Sequence, residues 1–180
     1  MIGAALLVAA TLLFQTADPK PIIENARVRV WEGRPPAGSF EFDTVSVSAS
    51  GAVRFWKQGA LAVSEKLLVS LRPGRVEPLP NTSGLPLAMD RPGAKKVLDN
   101  DRVTVWDYRW NPNVPTPMHF HDKDVVVMFL EEGDLKSTTV KGEVTLNQHK
   151  PGTIRFNARD RAHNEELVRG TQRAIIVELK

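Results

Sequence analysis

No stretch of this chain holds a 3.6-residue apolar period for long, and that absence constrains the fold more than any other feature of the sequence. In its place come short valine-rich runs at spacings of roughly 8–12 residues. They predict strands over 27–31, 44–49, 52–56, 66–71, 102–110, 117–121, 124–130, 135–140, 142–148, 153–156, 163–168 and 172–179. Turn residues separate them: Gly51, Pro73-Gly74, Asn111-Pro112, Gly133-Asp134, Lys141-Gly142 and Pro151-Gly152. Lys141-Gly142-Glu143 predicts a tight hairpin. The run from Val125 to Leu130 is apolar at every position, so it is expected to be a strand buried on both faces. The chain is therefore all-β, a sandwich or barrel.

A chain of 180 residues fits one domain or two small packed halves. Its 42% apolar and 25% charged content is that of a globular protein. The net charge of +3 is 24 basic minus 21 acidic residues, and the basic ones are dispersed. Nucleic acid is not an expected partner, because that requires a clustered basic face. Residues 2–14 form an uncharged apolar run, shorter than the roughly 20 residues that span a bilayer. It reads as the core of a signal peptide over 1–17 with cleavage after Ala17, although no Lys or Arg precedes it. The alternative is an N-terminal core element. The first reading makes the protein exported, periplasmic or secreted, with no integral membrane span after processing. The absence of cysteine excludes disulfides, thiol catalysis and a cysteine-linked lipid anchor.

The chain also echoes itself. Ile22–Trp31 matches Val97–Trp106 at an offset of 75, with Asn25/Asn100, Arg27/Arg102, Val28/Val103, Val30/Val105 and Trp31/Trp106 identical. Arg72-Pro73-Gly74 matches Lys150-Pro151-Gly152 in the same order, which points to an internal duplication. The expected organisation is a degenerate half over 18–83, a Pro/Gly-rich linker over 84–96 and a second half over 97–180. The first half is expected to pack on the second and cover its sheet edge.

The chemistry concentrates in the second half. His119 and His121 are two apart, so a strand places both on one face. With His163 they offer three imidazoles, a set suited to one divalent Fe, Zn, Cu or Ni ion. The competing reading is a vestigial site of neutral core histidines. The fourth histidine, His149, lies where a strand runs into a turn and reads as exposed and without function.

Residues 97–180 resemble a cupin domain, a small jelly-roll barrel or double-stranded β-helix. The family's first motif runs from a glycine through His-x-His and a glutamate to a second glycine. Here Asn113 stands at the first glycine, His119 and His121 match, and Gly133 closes the motif. The glutamate position holds Val125 or Val126. Asp122 and Asp124 are off register, so Asp124 would reach a metal only through a bulge. In the second motif Gly152 and His163 match, while Ala158, Asp160 and Leu167 replace the family's proline, glycine and asparagine. The resemblance implies a two-cupin chain with one degenerate half, a mononuclear metal site and a small-molecule ligand. Cupins also often dimerise through sheet edges, which makes a homodimer possible here.

Trp106, Tyr108 and Trp110 share one strand face and either pack the barrel or wall a pocket. Arg155, Arg159 and Arg161 precede His163 and form either a solvated surface or a cationic rim for an acidic ligand. Arg159, Arg161, Tyr108 and Trp110 are the candidate substrate-binding residues. Three functions follow: a metal-dependent enzyme of the dioxygenase, isomerase or decarboxylase type; a non-catalytic module binding a small acid or sugar; and a structural barrel with a vestigial site.

Overall fold

The computed structural model describes residues 19–35 and 38–180. Fourteen strands and no helix are found among them, arranged in three antiparallel sheets. The first sheet runs β1 (Ile23–Glu24), β2 (Val28–Gly33), β5 (Glu65–Leu71), β3 (Thr44–Val47), β4 (Val53–Trp56). The central sheet runs β6 (Lys95–Asp99), β7 (Val103–Trp110), β14 (Gln172–Leu179), β9 (Val125–Phe129), β12 (Ile154–Asn157). The third runs β11 (Val144–His149), β10 (Gly133–Thr139), β13 (Arg161–Gly170), β8 (His119–His121).

Side-chain alternation explains the layering. In β9, Val126 and Met128 point to one core, with Ile175, Val177 and Leu179 of β14 and Val28, Val45 and Val69 of the first sheet. Val125, Val127 and Phe129 point the other way, to a core shared with Tyr108, Trp110, Ile176, and Leu135 and Leu167 of the third sheet. Strands β9 and β14 in the middle of this sheet are thus buried on both faces, as the unbroken apolar run at Val125 predicts for β9. Tyr108 and Trp110 belong to this second core and Trp106 packs against it.

The first and central sheets share one strand order and the same local bonds. Asn25 Oδ1 accepts the backbone N–H groups of Arg27 and Val28, and Asn100 Oδ1 accepts those of Arg102 and Val103. Each arginine then crosses to the opposite half. Arg27 Nη1 meets Asp124 at 2.8 Å, and Arg102 Nη2 donates to the Arg72 carbonyl at 2.7 Å. Among the described residues the first half has no strand counterpart of the hairpin β10–β11 or of β8 and β13. Only the isolated bridge Ser39–Leu61 stands there.

Two expectations change. The first sheet covers a face of the central sheet, not its edge, because β2, β3 and β5 present an apolar face of their own. The expected linker over 84–96 runs into β6, whose alternation a bulge between Lys96 and Leu98 obscures. The strand boundaries elsewhere agree with the expected ones to within a few residues. The expected signal peptide over 1–17 lies outside the described residues.

Turn geometry is met without glycine at two positions. Asn113 and Asp160, which stand where the motifs carry glycine, are the non-glycine residues with positive φ among those described, at 58° and 65°. Asn and Asp tolerate this region better than most residues. Gly133 is required for a different reason, since a Cβ there would lie 2.7 Å from the Thr171 carbonyl.

Arg27 and Asp124 are both largely buried, and Asp124 also accepts the Arg159 backbone N–H. Substituting Arg27→Leu should leave that carboxylate without its charge partner and lower stability by about 3 kcal/mol, measured by urea denaturation.

Candidate metal centre

The register of one strand pair builds the site. β8 and β13 run antiparallel with His163 opposite His119 and Arg161 opposite His121. His119 and His121 share a face by strand periodicity, and His163 joins them across the ladder. The three ring centroids form a near-equilateral triangle with sides of 5.0, 4.9 and 5.0 Å. One nitrogen from each ring lies within 4.8 Å of the others, and His121 Nε2 and His163 Nε2 are 3.2 Å apart.

One tautomer is fixed by the backbone. His119 Nδ1 donates to the Pro117 carbonyl at 2.8 Å, which leaves the Nε2 lone pair free. That Nε2 is buried and meets no protein donor. A lone pair held in this way is what metal ligation requires, and a backbone carbonyl behind the ring is the usual orienting partner. Ligands at about 2.1 Å from a tetrahedral ion lie roughly 3.4 Å from one another, close to the His121–His163 separation. Burial, and after it the charge of Arg91, pushes His119 down to about 4. Burial foremost, then Arg161, lowers His121, and burial lowers His163. All three rings are neutral at pH 7, the form that binds metal. The residues fit a transition ion of the imidazole-preferring kind.

A carboxylate stands beside them. Glu165 lies two residues after His163 and shares its face of β13, with Oε1 4.0 Å from His163 Nε2. Its other oxygen accepts the Trp110 Nε1–H at 3.1 Å and faces Arg91 Nη1 at 3.5 Å. Burial alone would raise its pKa, but Arg91 and then the histidines hold it below the ordinary value. Glu165 is not among the candidate site residues read from the sequence, although it stands beside the triad. Its signal was the i, i+2 spacing from His163. Val125, at the family's glutamate position, faces the site, whereas Val126 turns into the opposite core. Asp124 does not reach the metal site, because Arg27 and the Arg159 backbone hold it. Asp122 pairs with Lys123 instead.

The site opens onto a cavity of 250 Å³ between the third sheet and β12, with His163 and Glu165 on its wall. Arg161 lines it, and Trp110 lines the smaller recess behind, against His121. Arg159 is elsewhere, donating to the Glu77 carbonyl. Tyr108 stacks under Arg91, whose guanidinium carbon is 3.9 Å from the ring centre, and so supports the partner of Glu165. Arg155 takes a place in the cavity wall. A larger cleft of 560 Å³ on the opposite face of the third sheet contains no histidine.

His149 is a correction. It is 4% exposed and stacks on Phe129 at 3.6 Å with a 13° interplanar angle, forming part of the cavity wall. It lies at the end of β11 opposite Gly133, where the third sheet closes over β9, so a position that looks terminal in sequence is interior. Burial, then Arg155, pushes its pKa down to about 4.

No protein-family model matches this sequence, and no curated protein does. Solved structures do. A cupin 2 conserved barrel domain protein from Leptotrichia buccalis aligns over 89% of this chain and 87% of its own, at 9% identity and a TM-score of 0.50. A cupin domain from Bordetella pertussis Tohama I is 29% identical over 51% of this chain and 98% of its own, with a TM-score of 0.45. The polyketide cyclase RemF from Streptomyces resistomycificus is 23% identical over 60% of this chain and 80% of its own, with a TM-score of 0.40. Three antiparallel sheets, a His-x-His strand and a third histidine across the ladder make an all-β barrel with a candidate metal centre. The chain has the fold of the cupin superfamily, the double-stranded β-helix.

Substituting Glu165→Gln should weaken binding of a divalent ion about tenfold, by isothermal titration with Zn²⁺, while the histidines still bind. For His149 the folded pKa lies below that of the unfolded chain, so the unfolded chain binds the extra proton. Its contribution is complete above about pH 6.5 and is lost as pH falls toward about 4. His149→Phe keeps the stack and should flatten the fall in metal-free stability over that range, measured by denaturation at stepped pH.

Proposed function

We propose that this protein is a metal-dependent enzyme acting on a small molecule, with one divalent transition ion held by His119, His121 and His163. The observation that carries the reading is the His119 Nε2 lone pair, fixed from behind by Pro117 and left without a partner among two other imidazole nitrogens beside an open cavity. A structural barrel would fill this space with side chains. Here the central sheet contributes Val125 and Phe129 to its walls, and room remains.

A bound ion would supply Lewis acidity or a site for activating a small co-substrate. The chain's own residues orient and tune. Pro117 fixes the His119 ring, and Glu165 offers negative charge close to the triad. Arg91 and Trp110 hold that carboxylate in place. Three imidazole nitrogens as the ligand set favour Fe, Zn, Cu or Ni over oxygen-preferring ions. The non-catalytic binding reading shares the cavity, and turnover decides between them. The apolar run over 2–14 supports export. Among the described residues no helix is long and apolar enough to cross a membrane.

Metal content by mass spectrometry of the chain purified without a histidine tag, beside His121→Ala, tests the reading. Near one equivalent of a transition metal should be present in the parent protein and lost in the variant. Failure of the parent to take up Fe, Zn, Cu or Ni on reconstitution would sink the enzyme reading.

A further inference from the structure

The cavity beside the histidines is lined by two guanidinium groups that form no ion pair, the Glu165 and Asp124 carboxylates acting on Arg161 only from longer range. Arg155, on β12, donates from Nη1 to the Asn147 side-chain carbonyl at 3.2 Å. Arg161, at the start of β13, donates from Nε to the Ala158 carbonyl at 2.5 Å. Among the described residues neither has a carboxylate within 4.0 Å, and each meets neutral oxygens in their place. Arg161 Nη2 is shut off from solvent and has no partner at all. The carboxylate that shares the cavity, Glu165, is already engaged by Arg91 and Trp110.

Burying a guanidinium without a counter-ion costs several kcal/mol, so such groups are normally paired. Other arginines of this chain are paired: Arg173 meets Asp107 with two hydrogen bonds, and Arg169 does the same with Asp134. The fork of Arg161 stands unpaired across the ladder from His121 and two residues from His163. The remaining wall is polar but uncharged, with Asn147, Asn157, Ser137 and Thr145, and the stacked Phe129–His149 pair forms an apolar side. This is the lining of a site that takes a small organic anion.

We propose that the cavity is a carboxylate-binding subsite, in which Arg161, assisted by Arg155, holds the carboxylate of a small organic acid beside the histidine triad. The subsite deepens the metal-enzyme reading by naming the substrate class and rests on it only for the chemistry that follows binding. The arginines bind the carboxylate whether or not a metal is present.

The test uses the full chain in low-chloride buffer, in metal-free and Zn²⁺-reconstituted forms. The probes are benzoate and glycolate, with benzamide and glycolamide as uncharged counterparts of nearly equal shape, measured by ligand-observed NMR titration. Both carboxylates should bind the metal-free protein at least tenfold more tightly than their amides. Arg161→Gln should weaken the carboxylates about tenfold or more without changing Zn²⁺ stoichiometry, and Arg161→Lys should restore part of the loss. Arg155→Gln should weaken them less. Equal binding of acids and amides, no binding of either up to millimolar concentration, or an Arg161→Gln protein that binds as the parent does would overturn the proposal. Should Arg161→Gln not fold, the comparison of acid with amide in the parent protein and the Arg155→Gln titration decide. Carboxylate binding in a chain that takes up no metal would leave the subsite standing and remove the metal centre. Metal uptake with no preference for acids would do the reverse.

Discussion

Burial of β9 and β14, the middle strands of the central sheet, on both faces is the constraint on which the rest of the structure depends. Strands β9 and β14 have no polar face to offer water, so each must be covered twice. The first sheet supplies one cover and the third sheet the other. Leu135 and Leu167 of the third sheet pack on the central sheet, and the cavity lies beside them, between the third sheet and β12. A site of this kind needs a rigid floor, and β9 and β14 provide it because their positions are set from both sides.

On that frame a single register defines the chemistry. His163 lies opposite His119, and a slip of one residue would turn His163 to the outer face while bringing Ala162 or Asn164 inward. The same periodicity carries Glu165 to the inner face and leaves Asn164 and Glu166 outside. Charge on the cavity wall is uneven: Glu165 is paired with Arg91 next to the triad, whereas Arg155 and Arg161 line the same cavity without an ion pair.

Much of this was legible in the linear chain because it depends on local rules. Alternation and turn residues located twelve of the strands. His-x-His required only the two-residue period of a strand, and Asn113 could be read as a stand-in for glycine, whereas the positive φ of Asp160 emerged only in the structure. Other features failed for identifiable reasons. The strand at Lys95–Asp99 is mostly exposed and bulged, so it carries no clean period. His149 sits at a strand end, a position usually exposed, and only the neighbouring sheet buries it. Among three arginines of similar spacing, nothing local distinguishes Arg159, tied to Glu77, from Arg155 and Arg161 in the cavity.

The sequence by itself therefore determined an all-β chain, a strand buried on both faces and a histidine pair aimed at one point. These follow from backbone periodicity and side-chain hydrophobicity, which act over a few residues. Tertiary structure decided that His163 meets the pair, that Glu165 stands beside it, and that Arg91 comes from 74 residues away to hold that carboxylate. It also decided that the first sheet covers a face. Those outcomes depend on strand register and sheet stacking, which are set by the summed packing of residues far apart in the chain and leave no mark in any short window of it.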